Sequence, residues 1–323
     1  SSVFERLSVY AVFDAPEWQR YVIQAVVTFA LASGAIALGR MADTPIAAIW
    51  WANGYLAYCL VLRPKTQWSA SIALFYATIL FVNLLAGNPF VASSLLSGVN
   101  AVEGVVIANL IVAIFGLRVH GRQLSSVRIS VSSYTALILA VTLVHAFGSL
   151  IGGGLVTFLF EGSLALNMLT WGSGGLIGSA TILTLLSGKV LEQHLGFKRL
   201  EPRIQRFGLI ACLYVGTIFA FYAFVPVNAL LAMPHVFFVV LSLPLVLLSS
   251  LYQAGRVFVV TSSIYLYVLQ SRVGLDGWLT TVKLTLAITI LSSIITLALI
   301  ARYVSAKGRE AERRALDLAP NAL

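Results

Sequence analysis

Long apolar runs, separated by short basic segments, constrain this chain more than any other feature. Several runs reach about 20 residues with few or no charges, enough for a helix to cross a hydrocarbon core roughly 30 Å thick. Strands of a membrane barrel would instead alternate apolar and polar residues over about ten positions, and no such alternation is sustained here. Composition excludes a soluble fold. Of 323 residues, 59% are hydrophobic and only 10% charged, against about 25% charged in soluble domains. The sequence therefore predicts an all-α, polytopic transmembrane helix bundle.

About ten spans are predicted, over Val22–Gly39, Ile46–Leu62, Trp68–Ala86, Leu95–Leu117, Ile129–Ile151, Leu164–Ser187, Phe207–Val225, Val236–Leu251, Val257–Leu269 and Thr280–Ala301. The net charge is +9, and its distribution orients the bundle. Arg6, Arg20, Arg63, Lys65, Arg118, Arg122, Arg128, Lys189, Lys198, Arg199, Arg203, Arg206, Arg256, Lys307, Arg309, Arg313 and Arg314 all fall on one side if ten helices alternate. The opposite loops Gly87–Ser94 and Pro226–Pro234 carry no charge. Excess Lys and Arg mark the cytoplasmic face, so both termini are expected there. The same pattern makes the basic charge a matter of topology and not of nucleic-acid binding. Trp18, Trp68 and Trp278 read as interfacial anchors.

Three segments follow: a cytoplasmic N-terminal segment 1–20, a transmembrane domain 21–303 and a cytoplasmic segment 304–323. Pro16–Arg20 reads as a short amphipathic lead-in, and Lys189–Arg206 as a basic cytoplasmic connector, either a solvated loop or a surface helix touching anionic lipid. No helix breaker marks the membrane surface after the last span. Arg302–Leu318 is rich in helix formers, with Glu310/Arg314 and Arg313/Asp317 spaced for ion pairs, and stops at Pro320. This stretch is either a helix that carries a shift inwards or a charged tail.

Ionisable groups inside a bilayer cost several kcal/mol unless paired, and usually face a protein interior or cavity. Glu103 is the clearest, with Asn100 on its face of the helix; His145 and Lys283 are others, and Asn53 and Asn83 add neutral polar groups. Helices two, four and six enter from outside in this topology. At about 1.5 Å per residue, Asn53, Glu103 and Trp171 lie at a common depth of about 10–12 Å. Small residues from Gly172 to Ser179 permit close backbone approach. Two roles are open to these groups: hydrogen bonding between helices, or a polar pocket facing the periplasm. Candidate ligand-binding residues are Trp50, Asn53, Asn100, Glu103 and Trp171; for Trp50 and Trp51, packing is the alternative to stacking on a ligand. His145 reads as a hydrogen-bonded core histidine. Cys59 and Cys212 have no CxxC or Cys/His neighbour and read as small hydrophobes, so neither a disulfide framework nor a metal site is expected.

No Walker loop, Rossmann glycine fingerprint, nucleophile elbow or HExxH motif occurs. Catalytic residues and cofactors are therefore not expected in this chain.

The order of several short motifs resembles the MASE1 integral-membrane sensory domain family. Trp50-Trp-Ala-Asn-Gly54 resembles its WPPxG turn, with Trp51 and Ala52 in place of the two prolines. Phe81-Val-Asn-Leu-Leu85, Asn100-Ala-Val-Glu-Gly104, Trp171 with the run to Gly178, and Pro244 with Tyr252-Gln-Ala-Gly-Arg256 resemble later segments. The acidic residue of the Trp171 segment is absent, and Gln253 replaces an arginine. The resemblance implies an input module for a histidine kinase or cyclic-di-GMP enzyme, multi-pass in a bacterial inner (plasma) membrane. It further implies an output domain beyond Arg302–Leu318 and a homodimer through that C-terminal helix. Expected partners are membrane lipids and a small or lipophilic ligand, with no nucleic acid. The alternative function is a small-molecule transporter or channel.

Overall fold

A computed structural model describes residues 16–39, 46–47, 50–116, 118–120, 123–125, 131–176 and 178–179. The spans expected from 207 onwards, the Lys189–Arg206 connector, Arg302–Leu318, Cys212, Trp278 and Lys283 lie outside these residues. The described part is helical except for one small ribbon. Its helices are α1 (Glu17–Gly39), α2 (Ala52–Val61), a 3-10 turn (Lys65–Gln67), α3 (Trp68–Leu85), α4 (Phe90–Phe115), α5 (Val131–Phe160) and α6 (residues 164–176). Strands β1 (Arg118–His120) and β2 (Gln123–Ser125) pair antiparallel between α4 and α5, Val119 opposite Leu124. Among the described residues, four segments are long and apolar enough to cross a membrane: Glu17–Ala37, Lys65–Leu85, Phe90–Phe115 and Ala136–Phe160.

Local chemistry sets most helix ends. After α3, Gly87 takes φ +84°. The Gly87 N–H then donates to Leu84 O at 3.0 Å, and the Asn88 N–H to Asn83 O at 3.1 Å. This is the paired C-terminal closure that a glycine in the left-handed region permits. Helix α4 follows directly from Pro89, five residues before the expected start. Helix α5 runs past Gly152–Gly154 to Phe160, nine residues beyond expectation, and ends where Glu161 and Gly162 adopt φ of 63° and 102°. Two of these glycines, Gly152 and Gly153, are packing positions against Trp171 and Met168. The first span likewise starts at Glu17, so Pro16–Arg20 is the beginning of α1 and not a separate lead-in. Ser163 opens α6, its Oγ accepting from the Leu166 N–H at 3.4 Å.

The second span departs most from expectation. A continuous helix over Ile46–Leu62 was predicted, but only Ala52–Val61 is helical. Ten residues extend about 15 Å, half a hydrocarbon core. The cause is a tertiary contact: the Trp50 N–H donates to Gly174 O on α6 at 3.0 Å instead of joining a helical ladder. Non-helical backbone at such depth needs partners within the protein, and α6 supplies one.

The helices pack α1 on α3, α2 on α4, and α4 between α3 and α5. Leu56, Leu60, Phe75, Ile79, Ile107, Ile111 and Leu137 fill the core. Lipid is as apolar as leucine, so such helices associate through close packing and interhelical hydrogen bonds. Gly104 lets α2 lie against α4; a Cβ there would meet Leu56 and the Asn53 carbonyl. The outward faces stay apolar: Leu139, Leu143, Phe147, Leu150 and Phe158 form an exposed stripe on α5, opposite buried Leu137, Val141, His145 and Val156.

Arg63 is a topological marker in the sequence, yet only 7% exposed. It donates to Gln24 Oε1 at 2.5 Å, to Ser71 Oγ, and to Arg20 O at 3.1 Å, and lies 4.5 Å over the Tyr21 ring. Gln24 donates in turn to Ser71 O at 2.9 Å. Trp68, expected as an interfacial anchor, is buried here, donating to Arg63 O at 3.2 Å; Trp18 is 64% exposed. The cluster fixes α1 to the α2–α3 connection. Arg63→Ala leaves Gln24 and Ser71 with unmet bonds, and thermal unfolding in detergent is expected to show a loss of about 2 kcal/mol.

Candidate functional site

The break before α2, the middle of α4 and the start of α6 converge on one buried polar group. Asn53 stands in the first turn of α2 and is fully buried. Its Nδ2 donates to Asn100 Oδ1 at 2.9 Å and to Glu103 Oε2 at 2.6 Å, both on α4. Trp50 Nε1 donates to Asn53 Oδ1 at 3.0 Å, and Trp171 Nε1 on α6 donates to Glu103 Oε1 at 2.9 Å. Glu103 is 4% exposed and both its oxygens accept. Asn100 and Glu103 share a face because three residues span most of a helical turn. Trp50, Asn53, Asn100, Glu103 and Trp171, separated by up to 121 positions in sequence, thus form one continuous network.

Three glycines on α5 and α6 make room for it. A Cβ at Gly148 would collide with the Glu103 carboxylate, one at Gly152 with the Trp171 indole, and one at Gly178 with the Trp50 carbonyl. Their role is absence of bulk. The Gly178 contact also explains how α6 reaches the unwound backbone that its Gly174 carbonyl holds.

His145 lies beside the network. Its Nε2 is 2.8 Å from Ser179 Oγ, so it is the hydrogen-bonded core histidine expected. Its Nδ1 lies 3.6 Å from Glu103 Oε2, too far for a hydrogen bond but within Coulombic reach. Sequence reasoning missed this adjacency, because the link between α4 and α5 is tertiary.

A cavity of about 40 Å³ adjoins the network, lined by Ile46, Ala47, Trp50, Asn53, Asn83, Leu96, Asn100, Glu103, Trp171 and Gly175. Roughly three water-sized bodies fit such a volume. Asn83 was noted in the sequence but not placed with the site; it donates to Ser97 Oγ and accepts from Asn88 Nδ2, both at 3.3 Å. Among the described residues no group of three or more His, Cys, Asp or Glu could hold a metal ion. Cys59 is a buried free thiol in α2, remote from the cavity lining.

Comparison with protein-family models, curated proteins and solved structures finds no match. The candidate site therefore rests on its own geometry. Asn53→Ala removes the donor shared by Glu103 and Asn100. The Trp50 Nε1 bond to Asn53 Oδ1 is lost as well. An interhelical hydrogen bond in a membrane contributes about 0.6 kcal/mol and at most about 1.7, so the loss of three is expected to lower stability by about 2–5 kcal/mol. Equilibrium unfolding in mixed micelles, with the Asn53→Asp variant alongside, measures it.

Proposed function

We propose that this chain is a sensory input module of a bacterial inner-membrane signalling protein. It would bind a small ligand between α2, α4 and α6 and pass the change through its last span to a cytoplasmic output domain. The observation that supports this reading is the cavity beside a fully enclosed carboxyl–amide network. Stitching helices together needs hydrogen bonds, not a space lined by Glu103, two tryptophans and three asparagines. Three elements that share a cavity can change packing when it fills. A ligand shifts such an equilibrium only by its differential affinity for the two arrangements. The MASE1 resemblance supplies the output class, a kinase or cyclic-di-GMP enzyme, and the direction of transmission, through Arg302–Leu318 in a homodimer.

One observation favours a second reading. Helix α2 is interrupted at the depth of the polar group, and interrupted helices at a binding site are a feature of transporters. Transport also needs a path to both faces.

The two readings separate in one preparation. The Ser305→Cys chain in nanodiscs reports the last segment by disulfide formation between copies. The sensory reading expects Glu103→Gln and Glu103→Ala each to change that rate about fivefold, the effect of a coupling near 1 kcal/mol. Folding, followed by circular dichroism, should be retained. Proteoliposomes should show no uptake of sodium, potassium or ammonium above empty vesicles. Unchanged cross-linking in both variants removes the sensory reading, and Glu103-dependent uptake establishes the transporter.

A further inference from the structure

We infer that the cavity beside Glu103 takes a small monovalent cation, an alkali-metal or ammonium-type ion. The inference rests on reading the cavity as a ligand site, and it names the ligand's chemistry.

The first argument is a count of donors and acceptors. Both indole N–H groups are spent, Trp50 on Asn53 and Trp171 on Glu103. Both N–H bonds of the Asn53 amide are spent on Asn100 and Glu103. Asn100 Nδ2 donates to Leu96 O at 2.9 Å, and Asn83 Nδ2 to Ser97. The acceptors are used at half capacity. The oxygens of Asn53, Asn83 and Asn100 and the two of Glu103 each accept one of these bonds, and each sp² oxygen can accept two. Among the described residues, five oxygens thus keep acceptor capacity against two spare amide N–H bonds. A ligand that supplies positive charge or donors matches this surplus, and an anion does not.

The second argument is charge. Among the described residues no Lys or Arg lines the cavity. Lys65 reaches α4 at Asn109, 3.5 Å from its Oδ1 and nearly two turns from Glu103. The basic side chain that the described residues place near the carboxylate is His145, and its Nδ1 stops at 3.6 Å. A buried carboxylate without a counter-charge is costly, and a bound cation supplies the missing partner. Trp50 and Trp171 rings in the lining add a surface that attracts cations.

Size and charge narrow the class. About 40 Å³ admits a dehydrated ion or methylammonium with little water. Calcium is ordinarily held by six to eight oxygens, and magnesium keeps several waters, which a volume of about 40 Å³ with one carboxylate among its described lining residues does not supply. Many transition-metal sites use imidazole or thiolate ligands, and the described lining residues include none.

Two tryptophans in the wall provide the readout. The purified full chain in detergent is titrated with sodium, potassium, ammonium and methylammonium chlorides at constant ionic strength kept with N-methylglucamine chloride. Intrinsic fluorescence and calorimetry follow binding. At least one of the four cations should give a saturable change, weakened about tenfold or more by Glu103→Gln. Asn100→Ala, which leaves the carboxylate in place, should give an intermediate loss. No saturable change with any of the four, or an undiminished one in Glu103→Gln, overturns the inference. A Glu103-dependent response to neutral 1-propanol but to no cation overturns it too, while leaving the ligand-site reading intact. Cation binding without altered Ser305→Cys cross-linking supports the inference and counts against the sensory role.

Discussion

A carboxyl group enclosed among helices persists only where each oxygen finds a donor, and for Glu103 those donors come from distant parts of the chain. Asn53 serves one oxygen and Trp171 the other. Asn53 is in place because the chain leaves helical geometry before Ala52, and the unwound backbone is held by the Gly174 carbonyl. The break in α2, the seating of α6 and the burial of Glu103 are therefore one arrangement. Removing any part exposes backbone or carboxylate oxygens that the bilayer cannot satisfy.

The protein has a second buried charge, and the contrast is instructive. Arg63 is saturated by Gln24, Ser71 and the Arg20 carbonyl, and lies against the Tyr21 ring. Its partners lie in the N-terminal turns of α1 and α3. That is how a structural charge is accommodated. Glu103 keeps unused lone pairs next to open space. Both are buried ionisable side chains, and a cavity lies beside Glu103.

Much of the fold could be read from the chain because hydrophobic runs and turn residues are local signals. Trp68–Leu85 differs from the expected third helix by one residue. The candidate residues could be paired by depth, since rise per residue is fixed and Asn53, Glu103 and Trp171 all lie on helices taken to enter from the same face. The failures have a common origin in tertiary contacts. The apolar run before α2 has a helical composition, but an α6 carbonyl captures the backbone N–H of Trp50. Gly152–Gly154 has the composition of a helix end, yet Gly152 and Gly153 serve the packing of Trp171 and Met168. Trp68 and Arg63 have the composition of a membrane rim, but each is a partner of the other. No signal along one strand of text distinguishes these cases.

The length of α5 has a mechanical consequence. Its apolar portion, Ala136–Phe160, spans 25 residues, about 37 Å at the helical rise, several ångströms beyond an average hydrocarbon slab. It must lean, or the surrounding lipid must stretch. The same helix carries His145 and the glycines that make room for Glu103 and Trp171. Bilayer thickness therefore bears on the wall of the polar chamber: thicker lipid draws α5 upright, thinner lipid tips it further, and the clearance around the acid changes with the slant.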